Sequence, residues 1–217
     1  MWHMECGIWE SQHSIFDIRH SACFFSFSMM DLVFFGIQGS GKGTQARKLA
    51  QEFGYSIFEA GGELRAIAAS GSKLGETVKS YIDVGKLVPH KIIMQVVKEA
   101  IGKRQKGQKI LFDGIPRDRD QQRDFQTIMK KEGRDFRCVH ILLNEEDALQ
   151  RILKRARDQG RTDDANEAIV RKRMATFHEK TEPVIKQYKA EGRIIEIAGE
   201  GTVDTLYEKL KEALGLA

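Results

Sequence analysis

Leu32-Val33-Phe34-Phe35-Gly36-Ile37-Gln38-Gly39-Ser40-Gly41-Lys42-Gly43-Thr44 is the stretch on which the reading of the fold turns. An apolar run breaks off at a glycine-rich turn, and from Lys42 to Phe53 the positions Ala46, Leu49, Ala50 and Phe53 recur at helical spacing. A short continuous apolar run bounded by glycine reads as a buried strand, so the unit is strand, turn, helix. The turn is G-x-x-x-x-G-K with Gly43 inserted before the hydroxyl residue Thr44, a variant of the Walker pattern. Its glycines permit close backbone approach, and successive N–H groups at a helix N-terminus can converge on phosphate oxygens. Lys42 adds a mobile cation over the β and γ phosphates, and Thr44 a hydroxyl near a magnesium ion. A dinucleotide fingerprint fits poorly, because Thr44 stands where its last glycine belongs.

Outward from this unit the period keeps switching. A weaker strand falls at Tyr55–Phe58, and apolar runs follow at Ile110-Leu111-Phe112, at Cys138 to Leu143, and at Ile194 to Ile197. Helical spacing fills about 62–70, 74–84, 90–104, 118–131, 145–158 and 166–190, and ends with Val203 to Ala213. Strands alternating with helices predict a mostly parallel sheet covered on both faces, in one α/β domain with small inserts.

The 217 residues carry 35 Lys+Arg and 31 Asp+Glu, a net charge of +4, with 41% hydrophobic and 30% charged residues. That balance excludes disordered and fibrous classes, and no apolar stretch reaches the roughly 18 residues that span a bilayer. Cys6, Cys23 and Cys138 make a disulfide framework a poor reading and suit a reducing compartment, the cytoplasm. The basic surplus serves anionic small molecules as well as nucleic acid.

Residues 1–30 differ from the rest: they hold Trp2 and Trp9, the only tryptophans, but only one basic residue, Arg19. Residues 31–217 carry a net +6 and the extension −2. The patch Ala22 to Phe27 lacks the basic flank and cleavage site of a signal peptide. His3, Cys6, His13, His20 and Cys23 match no trusted zinc spacing. Residues 1–29 are expected to be a non-functional extension or a misplaced start.

Asp113 ends the strand at Ile110, where an acid can hold a magnesium-bound water beside the phosphate loop. Gly114-Ile115-Pro116-Arg117 follows it directly, with Gln121 beyond. With Gly39 to Gln45, this resembles adenylate kinase and its nucleoside-monophosphate kinase relatives, whose second motif is D-G-[FY]-P-R. Other matches follow in the family's order: Gly61, Leu64 and Arg65, then Gly85-Lys86-Leu87-Val88-Pro89, Arg151 and Arg155, Gly160-Arg161-Thr162-Asp163-Asp164, and Arg171-Lys172-Arg173. The resemblance covers residue 31 to about 215.

It implies a P-loop three-layer fold with a five-stranded parallel sheet flanked by helices, a monophosphate-binding insert at 59–88 and a short lid at 155–165. It implies Mg-dependent transfer between ATP and AMP, giving two ADP, and a role in adenine nucleotide balance. Gly39, Ser40, Gly41, Lys42, Gly43, Thr44, Arg151, Arg155 and Gly201 would bind ATP. Ala60, Arg65, Lys86, Leu87, Val88, Gly114, Ile115, Pro116, Arg117, Gln121, Arg161 and Arg173 would bind AMP, with Gln121 reading the adenine edge. Lys42, Arg117, Arg155, Arg161 and Arg173 would act on the transferring group, while Asp113 and Thr44 would hold Mg2+ through water. The family suggests a monomer, with neither nucleic acid nor membrane as partner. The lid is short and carries no cysteine, which argues against a structural zinc.

The stretch departs from the family where S-T-G-D is usual, since Glu59-Ala60-Gly61-Gly62 has no hydroxyl at Ala60 and no acid at Gly62. One lost hydrogen bond costs about 0.5–1.5 kcal/mol, enough to loosen selectivity for AMP. A kinase for UMP, CMP or another monophosphate is therefore the alternative within the class, and a nucleotide-dependent nucleic-acid-binding module the alternative outside it. Arg173 is preferred to Arg171 as the last phosphate contact. Cys138 and His140 read as core residues, His90 and His178 as surface residues without partners, and Lys103, Arg104 and Lys106 as solvated surface.

Overall fold

The computed structural model describes residues 30–105, 107–159 and 166–216. The extension 1–29, Lys106 and the stretch from Gly160 to Asp164, with Arg161, lie outside them. The sheet is five-stranded and parallel throughout, in the order β2-β3-β1-β4-β5. Its strands are β1 Asp31–Phe35, β2 Ser56–Glu59, β3 Ile110–Asp113, β4 Phe136–Leu142 and β5 Ile194–Ala198. Between them run α1 Lys42–Phe53, α2 Ala60–Ala68, α3 Lys73–Ile82, α4 His90–Gly102, α5 Arg119–Lys131, α6 Glu145–Gln159, α7 Glu167–Thr176 and α8 Glu182–Ala190, with α9 Val203–Ala213 last.

β1 is central and buried along its whole length, which is why its sequence is apolar without alternation. Its side chains still alternate by face. Leu32 and Phe34 pack with Leu49 of α1 and Leu206 and Leu210 of α9, whereas Val33 and Phe35 pack with α4, α5 and α8. This second layer holds a chain of aromatic contacts, Phe58–Phe112–Phe125–Phe136–Tyr188–Phe35, with ring centroids 5.0 to 6.0 Å apart. A third cluster packs Ile37, just after β1, against Ala148, Leu149 and Ile152 of α6 and Val170 and Met174 of α7. It ties the elements that flank the phosphate loop to the loop itself.

Helix starts follow side-chain caps. Ser72, Asp118, Asn166 and Thr202 each accept a main-chain N–H from the first turn of the helix they precede. At the opposite end of the sheet from the loop, Asp31 is 3% exposed. It accepts Ile110 N–H at 2.7 Å and both Nε and Nη2 of Arg134, at 2.6 and 2.7 Å. That pair joins the beginnings of β1 and β3 to the turn after α5.

Some expectations need correction. β4 begins at Phe136, two residues before the apolar run, because Phe136 is buried and pairs with Asp31. The helix expected over 166–190 is interrupted by a π turn at Phe177–Thr181. Arg104 is not solvated surface. Its Nε donates to Ser56 Oγ at 2.8 Å and its Nη2 to Ile57 O at 3.0 Å, fastening the edge strand β2 to the end of α4. His178 does have partners, with Glu182 Oε1 2.6 Å from Nδ1 and Glu145 Oε1 2.6 Å from Nε2.

Candidate active site

The turn after β1 is built by its own main chain. Ser40 N–H donates to Ile37 O at 3.1 Å, and Gly41, in the left-handed region, receives the first bonds of α1 from Thr44 and Gln45. Gly39 has φ +89°, and a Cβ there would stand 2.4 Å from Ala148 O, so neither the conformation nor the space admits another residue. α1 begins with no side-chain cap and no acidic residue in its first turn. Its partly positive N-terminus is therefore left to an outside anion.

The loop opens into a cavity of about 880 Å³ at the carboxyl ends of the parallel strands. That is where ligands bind in open α/β sheets, and the volume is near the top of the roughly 300–1,000 Å³ usual for small-molecule sites. On its wall lie Gly39, Gly41, Lys42, Gly43 and Thr44 from the loop, and Arg151, Arg155 and Gly201 beside them. Ala60, Arg65, Lys86, Leu87, Val88, Gly114, Ile115, Pro116, Arg117, Gln121 and Arg173 line it too. Ser40 lies behind this wall, fully buried, with its Oγ 2.5 Å from where a Cβ on Gly36 would be. Arg161 falls outside the described residues. Arg173 faces the cavity and donates to Ile82 O at 3.4 Å, while Arg171 points outward to Glu167 at 2.8 Å.

The electrostatics of the cavity point to an anion. Arg117 is held below the ordinary arginine pKa, first by burial and further by the cations Arg173 and Arg65, with Asp113 opposing. Cations this close to each other repel unless a polyanion joins them. Planar guanidinium forks suit phosphate oxygens.

Asp113, also on the wall, has a buried Oδ1 without a hydrogen-bond partner. Its Oδ2 stands 3.2 Å from where a Cβ on Gly43 would be, so the glycine before Thr44 keeps carboxylate and loop close. An orphaned carboxylate oxygen beside a phosphate loop fits a hydrated magnesium ion. Among the described residues no group of three or more His, Cys, Asp or Glu side chains is placed to hold a metal by itself.

Several contacts within the site carried no signal in the sequence. Gln45 is 1% exposed and its Nε2 donates to Val203 O at 2.9 Å, fastening the loop that carries Gly201 to α1. Arg151 reaches the same loop from α6, at Gly199 O, 3.3 Å away. Glu59 pairs with Arg47 of α1 at 2.5 Å and places Oε2 3.7 Å from where a Cβ on Gly62 would be, so an acid occupies that place from another position. Thr181 and Phe177 reach the wall from the π turn. The Gln121 amide is partly committed: its Oε1 accepts Arg117 N–H at 2.8 Å and its Nε2 donates to Asp118 at 3.0 Å. One N–H and one lone pair remain for a ligand.

A parallel three-layer sheet with an uncapped phosphate loop, a strand-end aspartate and converging arginines defines a P-loop nucleotide phosphotransferase. The adenylate kinase family profile matches residues 34–193. An adenylate kinase of Thermus thermophilus is 38% identical over 186 residues, covering 85% of this chain and 97% of its own. One from Phocaeicola vulgatus is 34% identical over 190 residues (86% and 98%), and adenylate kinase 1 of Schistosoma mansoni 41% over 181 (82% and 89%). The chain belongs to the adenylate kinase family, and it is a phosphotransferase.

Proposed function

We propose that the cavity transfers the γ-phosphoryl group of Mg-bound ATP to AMP, reversibly, giving two ADP and balancing the adenine nucleotides. The observation that carries this is the convergence of Arg65, Arg117 and Arg173 on one cavity that Lys42 and Asp113 also line. Transfer between nucleotides gathers many negative charges, so positioning and cations dominate and no acid–base residue is required.

An AMP phosphate oxygen attacks the γ-phosphorus as the bond to the bridging oxygen breaks, leaving that oxygen on ADP. Lys42 and the main-chain N–H groups of Gly39, Gly41, Lys42 and Gly43 hold the donor phosphates, with Ser40 and Thr44 shaping the loop and Arg151 and Arg155 joining at the phosphates. Arg65 and Arg117 grip the AMP phosphate, and Arg173 closes on the transferring group, joined by Arg161. Gln121 and the backbone of Lys86 to Val88 take the acceptor base, with Ala60, Gly114, Ile115 and Pro116 lining it. Gly201 meets the donor base. Asp113 and Thr44 would hold magnesium through water, where it screens the β and γ charges.

The insert 59–88 closes over the pair, because transfer must exclude hydrolysis; the short lid expected at 155–165 lies for the most part outside the described residues. We place the protein in the cytoplasm as a monomer. The reducing-compartment reading of its cysteines supports the location, and burial pushes the Cys138 thiol far up, out of reactive range. No helix among the described residues is long and apolar enough to cross a membrane.

The test is initial phosphoryl transfer from Mg-ATP to AMP, CMP, UMP and GMP offered separately. Fast transfer to AMP alone is expected. A pyrimidine preference would reject the acceptor, and no transfer to any of them would reject the reaction.

A further inference from the structure

Between α7 and α8 the chain widens into the π turn Phe177–Thr181, where Glu182 N–H bonds back to Phe177 O, five residues earlier. Such turns are rare and gather at functional sites, because the extra residue redirects the side chains that follow it. Here the redirected residue is Thr181. It is 5% exposed, stands on the cavity wall, and donates through Oγ1 to the main-chain carbonyl of Arg117 at 2.8 Å.

Arg117 needs such support. It sits in the connection between β3 and α5, outside any regular element. Gln121 Oε1 accepts its main-chain N–H, and its own Nε donates to Gly114 O, both at 2.8 Å. Those restraints come from the same stretch of chain. The Thr181 bond arrives from 64 residues away and ties the Arg117 carbonyl to the layer behind the sheet, where Val184, Ile185 and Tyr188 are buried. The main chain of Arg117 is thus held on both sides, by Gln121 at its N–H and by Thr181 at its carbonyl.

We infer that Thr181 is a positioning residue for Arg117, and that the π turn is what delivers it. The inference rests on the reading of Arg117 as the grip on the acceptor phosphate. Losing the bond leaves a carbonyl unsatisfied and lets the guanidinium drift, and small misplacements of a phosphate grip are felt in binding and turnover.

The experiment measures KM for AMP and for Mg-ATP, with kcat, in Thr181→Val, Thr181→Ser and Arg117→Ala, each checked by thermal melting. Thr181→Val keeps the shape without the hydroxyl and is expected to raise KM for AMP roughly three- to tenfold. KM for ATP should stay within about twofold, because one neutral hydrogen bond on the acceptor side does not reach the donor loop. Thr181→Ser, which keeps the hydroxyl, should restore KM for AMP. An unchanged KM for AMP in folded Thr181→Val, an equal rise for ATP, or failure of serine to restore would each overturn the inference. If the valine variant does not melt cooperatively, Thr181→Ala takes its place and is judged the same way. Arg117→Ala separates the role of Arg117 from that of Thr181. If it leaves KM for AMP unmoved, the phosphate-grip reading falls and this inference with it. If it raises KM while Thr181→Val does not, only the role of Thr181 is lost.

Discussion

Lys42 opens a helix whose first turn carries neither an acidic side chain nor a side-chain cap, and in the proposed reaction its ammonium and the N–H groups around it act on the same anion. Lys42→Met is therefore expected to lower kcat by at least about a hundredfold, the scale of losing one preorganised donor to developing charge. The melting temperature should move by no more than about 2 °C, since a residue at the cavity wall adds little to the core. Near-normal turnover would reject the role. At the other end of the sheet the same reasoning applies to stability alone. Arg134→Met leaves the Asp31 carboxylate, 3% exposed, with only the Ile110 N–H. It should cost about 3 kcal/mol in urea unfolding, the lower end for breaking a buried pair. Turnover at saturating substrate should be kept, because the pair lies at the strands' starts and the cavity at their ends. A loss below about 1 kcal/mol, the worth of an exposed pair, would show that water reaches Asp31.

Elements with strong periodicity were legible in the sequence: β1, α1, α5 and α9 lie within a residue or so of where apolar spacing put them. The π turn was not, because one extra residue shifts the helical phase without leaving a pattern of its own. Pro183, near the start of α8, was the available sign that the helix could not run unbroken through 166–190. The fastening of the donor loop was equally hidden, since Gln45 and Val203 are 158 residues apart in sequence. That link predicts a division of labour between substrates. Gln45→Leu removes the donor to Val203 O and should raise KM for ATP roughly threefold while leaving that for AMP alone. Tyr207→Phe, which removes the bond to Glu52 between the same two helices, is the control. Equal effects from the two variants would mean that Gln45 only glues α1 to α9.

Across the whole molecule the sequence picked out Lys42, Arg65, Arg117, Arg151, Arg155 and Arg173, all of which line the cavity, because their types and order are local motifs, but it did not pick out Arg47. It did not disclose what holds them, because Thr181, Gln45 and Glu59 act over distances that only the fold closes. His178 is the same kind of tie outside the cavity. It sits between Glu145 at the start of α6 and Glu182 at the start of α8, and the Glu182 bond, aided by Glu145, raises its pKa against partial burial. A histidine raised in the folded state adds stability fully present below its ordinary value of about 6.5, and lost as pH climbs through the raised value. His140 works the other way: burial lowers it, with Glu196 opposing, so it weakens the fold as pH falls below about 6.5. Wild-type melting against pH mixes the two. Subtracting the curve of His178→Gln cancels His140, because both proteins contain it. The difference in melting temperature should be largest near pH 6 and shrink steadily toward pH 9, with added salt reducing it throughout because His178 is 40% exposed. A difference that stays constant across that range would mean that His178 contributes only packing against Phe177, 5.6 Å away ring to ring, and that its two carboxylate partners add nothing.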